Sequence, residues 1–290
     1  MSEFPRTEVS GVSLPRILIG SNWVLGYSHR SVSQDNMIRA RYSTKEAVAD
    51  LVSAYLEYGV DAMMAPFVND EGKPVQPLMD GIHEAEQRMG RKVILIDTPT
   101  LNVDDTKEGR LFSAKKIEGS AKNGATFCLV HHSSAEQLVS KNRGTMDRLE
   151  DYTHMIRENG MIPGLSAHMP ELIVYSDNHP EYDVQTYIQI YNCMGFLMQV
   201  EVEGVRAIIQ NAKHPVMTIK SMAAGRCTPY VGLTFSFASL RPCDMVTLGA
   251  HTVPEVHEDL EIALAAIERR YPSMEKRSTP HRTVALGGDK

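Results

Sequence analysis

The sequence predicts a single (β/α)8 barrel, the fold class known as the TIM barrel. Three observations predict it. Short apolar runs alternate with longer helical patterns eight times along the chain, as parallel strands joined by crossover helices require. The length of 290 residues is near the roughly 250 of one barrel before insertions. No G-x-G-x-x-G follows the first apolar run, which removes the main sign of a doubly wound open sheet.

The units read in order as follows. A first strand over 16–20 is followed by a polar stretch with Trp23, Tyr27 and His29, read as a long loop. Ser43 and Glu46 have capping-box spacing; Val48, Leu51, Val52 and Tyr55 then recur at helical spacing, and Gly59 stops the helix. Strands over 61–65, 92–97 and 126–131 come next, with helices over 75–89, 112–122 and 146–158. Their continuous apolar runs suit a sheet covered on both faces. The fifth strand, 162–166, precedes a helix starting near Pro170; the sixth, 184–191, precedes one over 200–212. After the seventh strand, 215–221, Thr228 and Pro229 read as an N-cap and first helical position. The eighth, 244–248, leads to Thr252 and Glu255, a second capping box, and a helix ending near Arg270. The expected organisation is one barrel domain over 1–270 and a polar tail over 271–290.

The net charge of −6, with basic residues scattered among acids, argues against a nucleic-acid partner. No apolar run approaches the ~18 residues of a membrane helix, and the N-terminus lacks a signal-peptide pattern. Cys128, Cys193, Cys227 and Cys243 form no C-x-x-C pair and read as reduced thiols. A cytoplasmic protein with a small-molecule substrate is expected, with a homo-oligomer as one possible state.

In such barrels chemistry sits where strands end and the following loops begin. Those positions hold Trp23, Asp97, His131, His132, His168, Asn192 and Lys220. Asp97, His131, His132 and His168 come from three consecutive strands, and imidazoles with a carboxylate make a first shell for a divalent metal such as Zn, Mn or Fe. A hydrogen-bonded polar network without an ion is the plainer alternative. Strand alternation places Met217 and Ile219 toward the helices and Thr218 and Lys220 toward the barrel axis. A buried lysine loses part of its basicity and becomes a usable base or carbonyl nucleophile; an ion pair with Asp97 is the structural alternative. Arg226, just before the Thr228 cap, marks an anion site with the helix start. Trp23 and Asn192 are candidate substrate contacts, and Tyr27 a candidate catalytic group.

Several segments resemble the aldo-keto reductase superfamily. They are Gly164-Leu165-Ser166-Ala167-His168 with Pro170-Glu171-Leu172; Val184-Gln185 with Tyr191-Asn192; Leu248-Gly249-Ala250-His251-Thr252 with Glu258-Asp259; and Cys128-Leu129-Val130-His131. The resemblance implies a (β/α)8 barrel, a nicotinamide cofactor and a catalytic Asp, Tyr, Lys and His. Only the histidine has a counterpart, His131. Ala65-Pro66 stands where the family has its Asp, Asp97-Thr98 where it has its Lys, and Val256 where an arginine holds the cofactor phosphate. No tyrosine occupies the loop after the second strand, although Tyr27 can approach from the first.

The leading expectation is therefore an enzyme acting on a polar carbonyl or sugar-like substrate, a lyase, isomerase or hydrolase assisted by a metal or by Lys220. The second reading is a divergent NAD(P)-dependent oxidoreductase, with NAD(P) ranked behind a metal as cofactor. A non-catalytic binding protein on a barrel scaffold is the third.

Overall fold

The computed structural model describes residues 3–274. The chain opens with an antiparallel hairpin, β1 (Arg6–Val9) and β2 (Val12–Pro15), turning at Gly11. The sequence reading missed it. Strand β3 (Ile17–Gly20) begins the barrel and is followed by α1 (Asn22–Leu25), α2 (Val32–Arg41) and α3 (Lys45–Leu56). Then come β4 (Ala62–Ala65), α4 (Leu78–Met89), β5 (Ile94–Asp97), α5 (Lys107–Lys122), β6 (Phe127–Val130) and a short α6 (His132–Ala135). A small hairpin, β7 (Val139–Ser140) and β8 (Thr145–Met146), precedes α7 (Leu149–Glu158), β9 (Ile162–Ala167) and α8 (Glu171–Asn178). The chain completes the barrel with β10 (Tyr187–Ile190), α9 (Val202–Asn211), β11 (Val216–Ile219), α10 (Pro229–Ser239), β12 (Met245–Leu248) and α11 (Val253–Glu268).

Eight parallel strands close in the order β3-β4-β5-β6-β9-β10-β11-β12, and β12 pairs back onto β3. All eight sequence-predicted strands are present, so the expected (β/α)8 class is the observed one. Two apolar clusters account for the closure. Leu18, Met64, Ile96, Phe127, Leu129, Ile188 and Met217 fill the barrel interior. The larger cluster lies between strands and helices and includes Val48, Val52, Tyr55, Leu95, Val130 and Leu260. Alternate residues of each strand thus enter different cores, which is why the strands read as continuous apolar runs. Val9 and Leu14 of the hairpin join the interior cluster beside Leu18 and Ala62, at the strands' N-terminal ends. The hairpin stops that end of the barrel and leaves the other end open.

Local signals set the helix boundaries with two corrections. Thr44, not Ser43, caps α3, because its hydroxyl accepts from Ala47 N. Thr252 and Glu255 form the expected reciprocal box, and Thr228 accepts from Val231 N ahead of Pro229. The supposed loop after β3 folds into α1 and α2; α2 is capped by Ser31 but buries only Ile38, so its sequence carries little amphipathic signal. Helices α3 and α4 meet at Gly81, where an added Cβ would come within 2.5 Å of Val48. Of the expected tail, residues 271–274 extend beyond α11 and 275–290 lie outside the described residues. No described helix is long and apolar enough to cross a membrane.

Candidate functional site

At the open end, where the strands deliver their C-termini, the loops surround a cavity of about 930 Å3. Its floor is Met64, Ile188 and Ile219, and its walls carry Trp23, His29, His131, His132, His168 and Lys220. The size falls in the range of small-molecule and cofactor sites.

Lys220 directly follows β11 in a left-handed conformation, φ +63°. A non-glycine residue there is strained by about 1–2 kcal/mol. The turn continues with φ +50° at Ala223, +55° at Ala224 and +76° at Gly225. The strain has a geometric consequence. Met217 and Ile219, not Thr218, belong to the barrel-interior cluster, and Thr218 donates to Met245 O. The expected alternation is therefore inverted. Lys220 reaches the cavity because the chain leaves strand geometry at that residue. Its Nζ lies 3.2 Å from His29 Nε2, which also faces Asn22 Nδ2 at 3.2 Å. No carboxylate pairs with Lys220 among the described residues, and burial lowers its pKa to about 8. The proposed Asp97 ion pair is absent.

Three histidines line the same cavity. His131 alternates with Phe127 and Leu129 and so points into the mouth. Its Nδ1 is 2.7 Å from Ser133 Oγ and accepts from Ser133 N. An accepting Nδ1 assigns the ring proton to Nε2. Burial, then the neighbouring His132, lower its pKa to about 4. Burial and His132 likewise take His168 down to about 3, and burial lowers His132. All three imidazoles are neutral at pH 7. The His132 and His168 rings stack with centroids 3.7 Å apart, and His131 lies 4.3 Å from His132.

Asp97 does not reach this site. It follows Leu95 on the outer face of β5, is fully buried, and accepts from Phe67 N through Oδ1. Burial raises its pKa to about 6, opposed by the Ser120 hydroxyl and the Phe67 and Thr98 N–H groups. It is neither a metal ligand nor a catalytic group of the cavity. Asn192 is also a structural residue. Its Oδ1 accepts from Met194 N and Phe196 N, and its Nδ2 donates to Phe196 O, which fastens the loop after β10. Trp23 and Tyr27 do line the cavity, but Tyr27 is 55% exposed and, among the described residues, has no partner group that would activate it. Arg226 is exposed on the rim, stacked 3.9 Å over the Phe196 ring and donating to Ala223 O.

Sequence reasoning missed three residues. His29 was set aside with its loop. Glu136 stands four residues after His132, a spacing that would have paired them on one helical face. Arg30 donates to Gly225 O and so joins the rim beside Arg226. Neither Arg30 nor Arg226 pairs with a carboxylate among the described residues, and with Lys220 they leave this side of the mouth cationic.

No protein-family model matches the sequence, and no curated protein does. Solved structures do match in shape. An inferred aldo-keto reductase of Pseudomonas aeruginosa superposes with TM-score 0.63 at 13% identity, over 90% of this chain and 96% of its own. An aldo-keto reductase of Brucella melitensis gives 0.55 at 12%, over 91% and 99%. An aldo-keto reductase solved in complex with NADPH gives 0.54 at 13%, over 94% and 89%. At such identity the likeness establishes the fold, and the fold is the one the sequence resemblance implied. The matching barrels are reductases by name, which goes against the leading expectation of a lyase, isomerase or hydrolase.

Proposed function

We propose that the chain is a nicotinamide-dependent oxidoreductase that reduces a polar carbonyl compound, or oxidises the corresponding alcohol, in the cavity at the open end of the barrel. The observation that carries the reading is an apolar-floored cavity lined by Lys220, with Arg30 and Arg226 held beside its Gly225 edge and paired with no carboxylate among the described residues, on a barrel that superposes on reductases.

The donor set fits such a cofactor. Arg226 and the N-terminus of α10 suit its phosphates, since a helix start and a guanidinium both favour anions. Trp23, Ile188 and Ile219 offer flat and aliphatic surface to its ring. When bound, a nicotinamide supplies a two-electron reducing equivalent to the substrate carbon. The chain supplies the rest. His131, neutral with its proton on Nε2, serves as a hydrogen-bond donor that orients the carbonyl oxygen. Lys220, with a pKa of about 8, is charged at pH 7 and near enough to neutrality to give a proton from Nζ to that oxygen as negative charge develops. Its hydrogen-bond partner His29 holds Nζ in place. Lys220 thus takes the acid role for which the family's tyrosine is missing. The same cluster of displaced titrations in one cavity favours an enzyme over a binding scaffold.

The test is a screen of NADH and NADPH against short aldehydes, keto acids and keto sugars, followed by loss of the reduced-cofactor absorbance. Turnover that disappears in Lys220→Met supports the reading. The absence of cofactor oxidation with every carbonyl, in protein of native thermal stability, overturns it.

A further inference from the structure

We propose that His132, Glu136 and His168 form a binding site for a divalent transition-metal ion of the zinc type, on the cavity wall facing Lys220. One ligand atom from each lies within 4.8 Å of the other two. A tetrahedral ion with ligands at roughly 2.1 Å spaces them about 3.4 Å apart. Each pair therefore closes by no more than about 1.4 Å, the difference from 4.8 Å, and the stacked His132 and His168 rings must turn out of their 18° alignment for both nitrogens to face one ion.

Three further observations point to a cation. His132 and Glu136 are four apart across α6 and the following turn, so they share a face, while His168 arrives from β9, the neighbour of β6. Glu136 Oε1 accepts from His168 N at 2.6 Å and Met169 N at 3.1 Å. Those bonds fix the carboxylate beside His168 and leave its second oxygen for an ion, the kind of support that orients metal ligands. The ring nitrogens of His132 and His168 have no hydrogen-bond partner within the described residues, although both rings line the cavity. Imidazole nitrogens free of protein partners are available as ligands. Two imidazoles and one carboxylate select zinc, cobalt, nickel or iron over magnesium and calcium. The remaining coordination positions open to the cavity, so the ion keeps exchangeable water there. No bond-breaking step is assigned to it. Lys220 faces the same cavity and its charge opposes the ion, so occupancy competes with the protonated lysine and hence with carbonyl reduction.

The experiment uses the full chain stripped with chelator and titrated calorimetrically with zinc sulfate, with cobalt chloride as a visible-absorption probe. One equivalent per chain is expected, with affinity lowered at least about tenfold in His168→Gln and in Glu136→Gln. Tighter binding is expected in Lys220→Met, and no change in His83→Gln, a surface control. His132→Gln, on the half-buried α6, provides a second variant should His168→Gln fail to fold. Binding weaker than about 1 mM, or unchanged in folded variants of two ligands, overturns the site. Cofactor binding measured on the same variants in the presence of chelator keeps this result separate from the nicotinamide reading.

Discussion

Replacing Lys220 by Met should make the protein more stable and the enzyme inactive. The magnitude follows from burial of the charge. The ammonium has a pKa of about 8 against an ordinary 10.5. That difference, at 1.36 kcal/mol per pKa unit, is about 3 kcal/mol, reduced to roughly 1–3 kcal/mol because the side chain stays partly solvated. The sign is fixed by linkage. The folded pKa is depressed, so below about 8 both states are protonated and the cost is fully present. Between 8 and 10.5 the unfolded chain holds more protons, and the stability of the natural protein rises with pH. Met lacks this slope, while the left-handed strain at position 220 is common to both. Urea unfolding at pH 7 should therefore place Lys220→Met ahead by roughly 1–3 kcal/mol, and at pH 10 the gap should shrink. Carbonyl reduction should fall about 10²–10⁴-fold, the contribution of a positioned acid. Equal or lower stability of the variant at both pH values would refute a half-buried ammonium without a carboxylate partner and with it the acid role.

Three other expectations concern separate parts of the molecule. Asp97→Asn keeps the bond from Phe67 N but removes a carboxyl whose pKa is raised from 3.8 to about 6. The natural protein should lose about 3 kcal/mol of stability as pH rises through that window, and the variant should not; urea midpoints at pH 4 and 7 read the difference. In the natural protein, kcat should decline as pH rises through about 8, where Lys220 loses its proton, and Lys220→Met should lack that limb. Arg226→Ala should weaken NADPH binding about tenfold, the worth of one charge-assisted bond, and flatten its salt dependence, as a titration at two ionic strengths would record.

The barrel was legible in the sequence because its strands are buried on both faces and its helices carry caps and stops. The hairpin of Arg6–Val9 and Val12–Pro15 escaped because four-residue strands around one Gly offer little periodicity. The site was legible by residue type and position along the chain, less so by direction. His131, His132, His168 and Lys220 all arrive at one cavity. Asp97, at the end of an equally apolar strand, points the other way, since a strand covered on both faces gives no alternation from which to read its inner side. The same ambiguity inverted Thr218, and only the positive φ at Lys220, invisible in a sequence without glycine there, returned the lysine to the mouth. Glu136 and His29 became visible once the fold set them against His168 and Lys220.

The most direct measurement of nicotinamide dependence is equilibrium cofactor binding. The chain has one tryptophan, Trp23, on the cavity wall, so its fluorescence reports on that site alone. Saturable quenching by NADPH or NADH is predicted, with a thermal shift equivalent to about 2.7 kcal/mol at one hundred times the Kd and weaker binding in Arg226→Ala. Unchanged Trp23 emission and unchanged melting at millimolar cofactor would contradict the oxidoreductase reading.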